Sequence, residues 1–200
     1  MPDGVVDVND NTIIGDANPD YSGGFGLNAY AYGFDLSAVF NYSVGFDVYN
    51  ANKIQFSTAF QQYRNLSTIM EDGQRWTYLN EATGELVTNP EELAALNANT
   101  TMWSPYMQRR VFSDWAVEDG SFLRLNTLSL GYTLPESVLS SIGVKRLRVY
   151  STATNVFIMT DYSGPDPEVS TRRQTPLTPN IDNSAYPRNR QIVFGLNLSF

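Results

Sequence analysis

Apolar and polar residues alternate with a period of two along several stretches of the chain, the pattern of a β-strand with two different faces. The alternation is clearest near the end of the chain, from Ile192 to Phe200. The pattern predicts five long strands, near residues 24–32, 34–45, 121–134, 145–159 and 190–200. Ordinary globular strands have about five or six residues, whereas a tilted strand that crosses a bilayer needs about 9–11. The strand lengths therefore favour a membrane-spanning sheet.

The connections between these strands alternate between short and long. Tyr32 and Gly33 predict a tight hairpin between the first two strands, and only residues 135–144 separate the third from the fourth. Long loops are expected at 46–118 and 160–189. Short turns on the periplasmic side and long loops outside are typical of an up-and-down outer-membrane barrel. We therefore predict an all-β, antiparallel, incomplete barrel segment whose last strand ends in the periplasm.

In such a barrel the apolar face of each strand contacts lipid, and the face rich in Ser, Asn, Asp and Gly borders the lumen. The predicted lipid-facing residues are Phe34, Leu36, Phe40, Leu128, Leu130, Ile192, Phe194, Leu196, Leu198 and Phe200. Tyrosines near the strand ends predict the aromatic girdles of the two membrane interfaces. These are Tyr32, Tyr42, Tyr132, Tyr150 and Tyr162.

Composition supports this class and excludes others. Only 17% of the residues are charged and 13% are aromatic, whereas soluble domains average about 25% charged. The net charge of −8 argues against a nucleic-acid partner, which requires clustered cations. Without Cys or His, a thiolate nucleophile, a Ser-His-Asp triad and a His-ligated metal are impossible. No cofactor motif is present, and we expect no enzyme activity.

Three groups of residues could carry other chemistry. Asp3, Asp7, Asn9 and Asp10 have a spacing close to that of a calcium loop, but the terminal bidentate Glu is missing, which favours a solvated acidic loop. Trp76, Trp103 and Trp115 lie in the longest loop and could contact a glycan or a partner, or pack the loop itself. Asp166 and Glu168 are better explained as part of a rigid extracellular turn than as a glycosidase pair.

Short helices are expected inside the longest loop. Asn89 can cap a helix that starts at Pro90 and continues to Leu96, with Glu91 and Glu92 in its first turn. The stretch 50–66 has a weaker helical pattern.

Several motifs together resemble one family. The runs at 119–125 (DGSFLRL), 130–135 (LGYTLP), 162–168 (YSGPDPE), 186–188 (YPR) and 194–200 (FGLNLSF) are similar to the C-terminal region of SusC/RagA-family TonB-dependent outer-membrane transporters. So are 3–10 (DGVVDVND), 18–20 (NPD) and 33–36 (GFDL), in the same order.

The resemblance implies a piece of a large outer-membrane barrel with an N-terminal plug, which this chain is too short to include. It implies import of glycans, peptides or similar nutrients together with a SusD-like lipoprotein, driven by TonB through a part of the protein absent here. Phe200 would be the terminal signal that the barrel assembly machinery reads. The chain alone would not be transport-competent.

Two alternatives remain. A secreted β-rich glycan-binding module would pack Phe194, Leu196 and Leu198 against a second sheet. A small eight-stranded barrel would need three more strands from 50–118, where alternation is poor.

Overall fold

The computed structural model describes residues 7–59, 63, 65–107, 112–140, 143–171 and 178–200. Two compact units are present, one formed by Met1–Tyr49 with Val117–Phe200 and the other by Asn50–Ala116. We call them the sheet unit and the loop unit. None of the helices in the described ranges is long and apolar enough to cross a membrane.

Strands dominate the described residues. They are β1 (Tyr21–Ala31), β2 (Phe34–Val44), β3 (Asp47–Asn50), β4 (Leu79–Asn80), β5 (Glu85–Leu86), β6 (Val117–Asp119), β7 (Phe122–Thr133), β8 (Arg146–Thr160), β9 (Ile181–Asp182) and β10 (Gln191–Ser199). The helices are α1 (Ala51–Gln55), α2 (Pro90–Leu96) and α3 (Glu136–Leu139), with 3-10 turns at Val8–Asp10, Thr68–Met70 and Asp114–Ala116.

Five strands form the main sheet of the sheet unit. Their order is β1-β2-β7-β8-β10, and each pair of neighbours is antiparallel. These are the five long strands expected from the sequence, with lengths of 11, 11, 12, 15 and 9 residues. The sheet is open, as expected for an incomplete barrel segment, so the predicted fold class is confirmed.

The turn between β1 and β2 is as short as the sequence indicated. Tyr32 and Gly33 have φ values of 52° and 86°. Positive φ at both central residues is the geometry of a type I′ hairpin, whose twist matches that of the flanking strands. A Cβ on Gly33 would lie 2.8 Å from the carbonyl oxygen of Thr133, so glycine also permits a close approach of β7.

The connections follow the alternation read from the sequence. The hairpin at 32–33 and the α3-containing link between β7 and β8 lie at one end of the sheet, because the strands run antiparallel. The links from β2 to β7 and from β8 to β10 leave from the opposite end, where β3, β6 and β9 form a small second sheet in the order β6-β3-β9. All long connections therefore emerge at one end, which we call the loop end.

The loop unit contains mostly short elements. In α2, the Asn89 Oδ1 atom accepts hydrogen bonds from the backbone N–H groups of Glu91 (2.9 Å) and Glu92 (3.4 Å), and Pro90 occupies the first turn. This capping confirms the predicted helix. Among the described residues of the weaker stretch 50–66, the helical structure is α1, which ends at Gln55.

Candidate membrane-facing wall and loop-end cluster

The main sheet has one continuous apolar face. Residues directly opposite each other on neighbouring strands point to the same side of a sheet. One such row contains Leu36 on β2, Leu130 on β7, Ser151 on β8 and Phe194 on β10. The nine predicted lipid-facing residues within the strands all fall on this face by alternation and register, and Phe200 follows directly after β10.

This apolar face is exposed in the chain itself. Leu130 is 50% exposed, Phe194 79% and Leu196 68%. Phe34, Leu36, Ile192, Leu198 and Phe200 are exposed as well, whereas Phe40 and Leu128 are half-buried. In β2 the apolar Phe34 and Leu36 are more exposed than the polar Asp35 and Ser37 between them. A water-soluble sheet has the opposite arrangement.

The other face carries polar side chains that bond to one another. Arg148 on β8 reaches Asp35 on β2, with Arg148 Nε 2.8 Å from Asp35 Oδ1 and Nη2 2.5 Å from Oδ2. Gly131 lies between them on β7, and its missing side chain leaves room for the pair. The Ser129 and Thr152 hydroxyls are 2.7 Å apart on the same face.

Tyr150 also belongs to this polar face. Its ring covers Gly195 of β10, and the Arg148 guanidinium carbon lies 4.8 Å from its ring centroid.

The tyrosine girdle predicted from the sequence is partly wrong. Tyr150 lies on the polar face, and Tyr162 is buried in the loop-end core with 5% exposure. Tyr42 and Tyr132 fall on the apolar face, where Tyr132 contacts Phe34 with ring centroids 4.5 Å apart. Tyr32, in the hairpin, is 98% exposed. Distance from a strand end indicates depth in a membrane, but it does not indicate the face.

An ion-pair network with a buried Arg124–Asp166 pair occupies the loop end of the sheet unit. Arg124 Nη2 lies 2.6 Å from Asp166 Oδ1, and both side chains are nearly inaccessible, at 4% and 7% exposure. Arg124 Nε is 3.2 Å from Glu168 Oε2. Arg188 contacts the same two carboxylates, with Nε 3.4 Å from Asp166 Oδ2 and Nη1 2.9 Å from Glu168 Oε2. Asp166 and Glu168 thus neutralise two arginines, consistent with a rigid turn.

A small hydrophobic core lies next to this network. It consists of Phe46, Val48, Phe122, Tyr162 and Val169. The Tyr162 hydroxyl donates a 2.7 Å hydrogen bond to Asp182 Oδ2, and Asp182 is fully buried. Burial, together with this bond and the negative charge of Asp182, raises the pKa of Tyr162 far above its usual value.

We call the ion-pair network and the adjacent hydrophobic core together the loop-end cluster. It brings together three of the sequence motifs that carried the family resemblance. Arg124 belongs to DGSFLRL, Tyr162 and Asp166 to YSGPDPE, and Arg188 to YPR. The sequence showed each motif separately but gave no sign that their charges pair.

The N-terminal acidic segment has a local role in the structure. Asp7 caps the 3-10 turn at Val8–Asp10, where its Oδ1 accepts from the Asn9 N–H at 2.7 Å and Asp10 Oδ2 accepts from the Asp7 N–H at 2.8 Å. Asp3 lies outside the described residues, within which no group of three or more metal-ligating side chains occurs. The calcium site stays a prediction.

The tryptophans of the loop unit fall into two settings. Trp115 packs against Trp103 edge-on, with ring centroids 4.6 Å apart, and the Lys53 ammonium lies 4.5 Å from the Trp115 ring centroid. Trp76 packs edge-on against Tyr78 at 6.5 Å, and Trp76 and Trp103 line one open cleft. The structure therefore brings two of the three predicted contact residues to one place and puts the third behind Trp103.

Known proteins are similar to this chain in sequence and in fold. The chain is 29% identical to TonB-dependent receptor P3 and 32% identical to TonB-dependent receptor P39, both of Formosa agariphila, over 98% and 96% of its own residues. It is 36% identical to TonB-dependent receptor SusC of Bacteroides thetaiotaomicron over 44% of the chain. No family model matches.

A solved structure of the RagAB peptide transporter superposes with a TM-score of 0.67 and 28% identity over 94% of this chain. The chain spans 17–18% of the length of P3, P39 and this solved chain. TonB-dependent receptors are transporters of the outer membrane and not enzymes. Sequence and structure together show that the chain is a β-barrel segment of a TonB-dependent receptor of the SusC/RagA kind.

Proposed function

We propose that the chain supplies part of the wall and the outward loops of a TonB-dependent outer-membrane transporter that imports glycans, peptides or similar nutrients. The observation that carries this proposal is the exposed apolar face shared by five long strands, backed by a polar face. A lipid bilayer covers such a face, and a hydrated lumen solvates the polar one.

The chain is not transport-competent alone in this proposal. Five strands do not close a barrel. An open sheet edge in hydrocarbon leaves backbone groups without hydrogen-bond partners, and each such group costs on the order of several kcal/mol. The relatives are more than five times as long as the chain, which spans 18% of their length. The plug, the TonB contact and the remaining wall would come from other parts of the protein.

Orientation follows from the loops. The long connections leave the sheet at one end, so we assign the loop end to the cell exterior and the end of β10 to the periplasm. At the cell exterior, the loops would contact a SusD-like lipoprotein. The similar solved structure, RagAB, is a peptide transporter. Phe200, which is 75% exposed, would present the assembly signal to the barrel assembly machinery.

The test uses single cysteines, because the sequence contains none. Each variant carries one cysteine at a β10 position, and positions on both faces are tested. The variants are made in the protein that carries this chain, expressed in outer membranes. We expect cysteines at 194, 196 and 198 to be protected from a water-soluble maleimide. When they are labelled instead with a lipid-soluble fluorescent maleimide, lipid-borne nitroxides should quench their fluorescence. Cysteines at 193 and 197 should show the reverse, and 195 is left unaltered because the Tyr150 ring covers Gly195.

An even labelling of both sets, with no lipid quenching, would contradict the proposal. It would favour a secreted β-rich module, whose apolar face is covered by protein. Recovery of the protein in the soluble fraction would support the same alternative.

A further inference from the structure

Lys145 lies at the edge of the apolar face of the main sheet, at the end that holds the 32–33 hairpin and the link between β7 and β8. We call this end the turn end. Lys145 directly precedes β8, and by alternation its side chain falls on the same face as Leu147 and Val149. Every described strand residue on this face is uncharged. Lys145 therefore adds a positive charge to the rim of a surface that is otherwise neutral.

The backbone of Lys145 is held by the neighbouring strand. Its N–H group donates a 2.9 Å hydrogen bond to the Ser199 carbonyl. Because Arg146 pairs with Ser199 in the register of β8 and β10, Lys145 lies opposite Phe200, which is exposed. Directly opposite residues of an antiparallel pair have Cβ atoms about 4.5–5.5 Å apart. An ammonium group and an aromatic ring therefore lie side by side at this rim.

The ammonium group of Lys145 is accessible to a ligand. The residue is exposed, and no carboxylate among the described residues forms an ion pair with it, including the exposed Glu136 of the same link. Arg148 on the polar face differs in this respect, because Asp35 binds its guanidinium. A lysine ammonium has three N–H donors and no acceptor, so an anion is the partner that suits it.

The position of Lys145 along β8 matches the depth of lipid headgroups. From Leu147 to Met159 the apolar face of this strand is about 40 Å long at about 3.3 Å per residue. At a tilt of about 45° this length crosses about 28 Å, close to the hydrocarbon thickness of about 30 Å. Lys145 lies just outside this span. Its aliphatic stem can follow the apolar surface while the ammonium reaches the polar interface.

We propose that Lys145 binds the phosphate of an anionic phospholipid whose acyl chain lies along Phe200, Leu198 and Leu147. A zwitterionic headgroup carries its own cation, which competes for the phosphate, whereas an anionic lipid leaves its net charge to the lysine. This inference rests on the proposed function, because it requires a lipid-facing sheet with its turn end in the periplasmic leaflet, where the lipids are phospholipids.

The test compares two lipids at one reporter position. Leu196, opposite Val149 on the apolar face, is replaced by a fluorophore-labelled cysteine in the protein that carries this chain. The protein is reconstituted in phosphatidylcholine vesicles with the same small fraction of phosphatidylglycerol or phosphatidylcholine that carries an acyl-chain nitroxide. We expect the phosphatidylglycerol to reach equal quenching at an about fivefold lower fraction. Equal quenching by the two lipids would overturn the proposal.

Two neighbouring substitutions locate the binding. Lys145→Gln removes the ammonium and should abolish the preference for phosphatidylglycerol. Arg146→Gln is the matched control, since it removes the same charge from the next residue, which is also exposed but falls on the polar face. This variant should keep the preference. Equal losses in the two variants would show a general effect of surface charge and would overturn the assignment to Lys145.

A conservative variant separates charge from the shape of the side chain. Lys145→Arg keeps a cation at the rim, so it should keep the preference, and its loss in this variant would contradict a phosphate contact. The same reporter distinguishes the two proposals. If the sheet does not face lipid, neither nitroxide lipid quenches the fluorophore, and the proposed function fails. If both lipids quench it equally, the sheet faces lipid and only the headgroup site is refuted.

Discussion

Arg148 reaches Asp35 across two strand spacings, passing over Gly131 of the intervening strand. The three residues come from different parts of the chain and meet on the polar face of the sheet. A side chain at 131 would occupy the space of the guanidinium, so glycine here is required by packing. The ion pair therefore links β2 and β8 through a gap that β7 leaves open.

Substitution of Gly131 should break this link. A Cβ at 131 would overlap both Arg148 and Asp35, so Gly131→Ala should lower the free energy of unfolding by about 1–3 kcal/mol. Gly26→Ala on β1 is the control, since its Cβ would meet only the Ala38 carbonyl at an ordinary 3.7 Å. Urea unfolding of both variants in micelles checks this, and equal stability of the two would contradict the packing argument.

Strand positions could be predicted from the sequence because each long strand separates two environments. Alternation from Phe34 to Phe40 and from Ile192 to Leu198 directly records which side chains share a face. The capped helix at Pro90–Leu96 was predictable for a similar reason, because its signals lie within a few residues.

The loop-end cluster could not be predicted in the same way. Arg124 and Asp166 are 42 residues apart, and no local pattern pairs an arginine in a strand with an acid in a distant turn. The position of Tyr150 near a strand end indicates its depth, whereas its place in the alternation of β8, opposite Gly195 and Gly131, fixes its face. Contacts between distant residues depend on register, which the sequence alone specifies only in part.

Removing the charge of Arg124 should lower the free energy of unfolding much more than removing the charge of Arg188. Arg124→Met leaves Asp166 buried with only the more distant Arg188, and we expect a loss of about 3–5 kcal/mol in the free energy of unfolding. Arg188 is 44% exposed, so Arg188→Met should cost less than about 1 kcal/mol. Equal losses in urea unfolding would show that burial of Arg124 does not control the network.

Alkaline pH should destabilise the loop-end core through Tyr162. Its pKa in the folded chain is raised above the unfolded value of 10.0, because burial and the bond to Asp182 favour the neutral hydroxyl. The folded state thus holds the proton more tightly, so this stabilisation is complete below pH 10.0 and is lost as the pH rises above it.

The measurement is the unfolding midpoint between pH 9 and 12 for the unaltered chain and for Tyr162→Phe. We expect the variant to lose less stability over this range, because it has no hydroxyl at 162 to ionise. Tyr186→Phe, which alters an exposed ring, should follow the unaltered chain. Parallel curves for all three proteins would contradict the assigned role of Tyr162.

Arginine substitutions at two neighbouring residues of β2 should differ in their effect on the amount of folded protein. Leu36 lies on the apolar face and Ser37 on the polar face, one residue apart and at nearly equal depth. An arginine facing lipid near the bilayer midplane costs about 2–4 kcal/mol, whereas an arginine in a hydrated lumen remains solvated. Leu36→Arg should therefore reduce the amount of folded protein recovered from outer membranes severalfold, measured by heat-modifiable migration on gels. Ser37→Arg, with the same added charge, should leave recovery close to that of the unaltered protein. If Ser37→Arg were the more damaging of the two, the polar face would be the covered one, which would contradict the assignment of the apolar face to lipid.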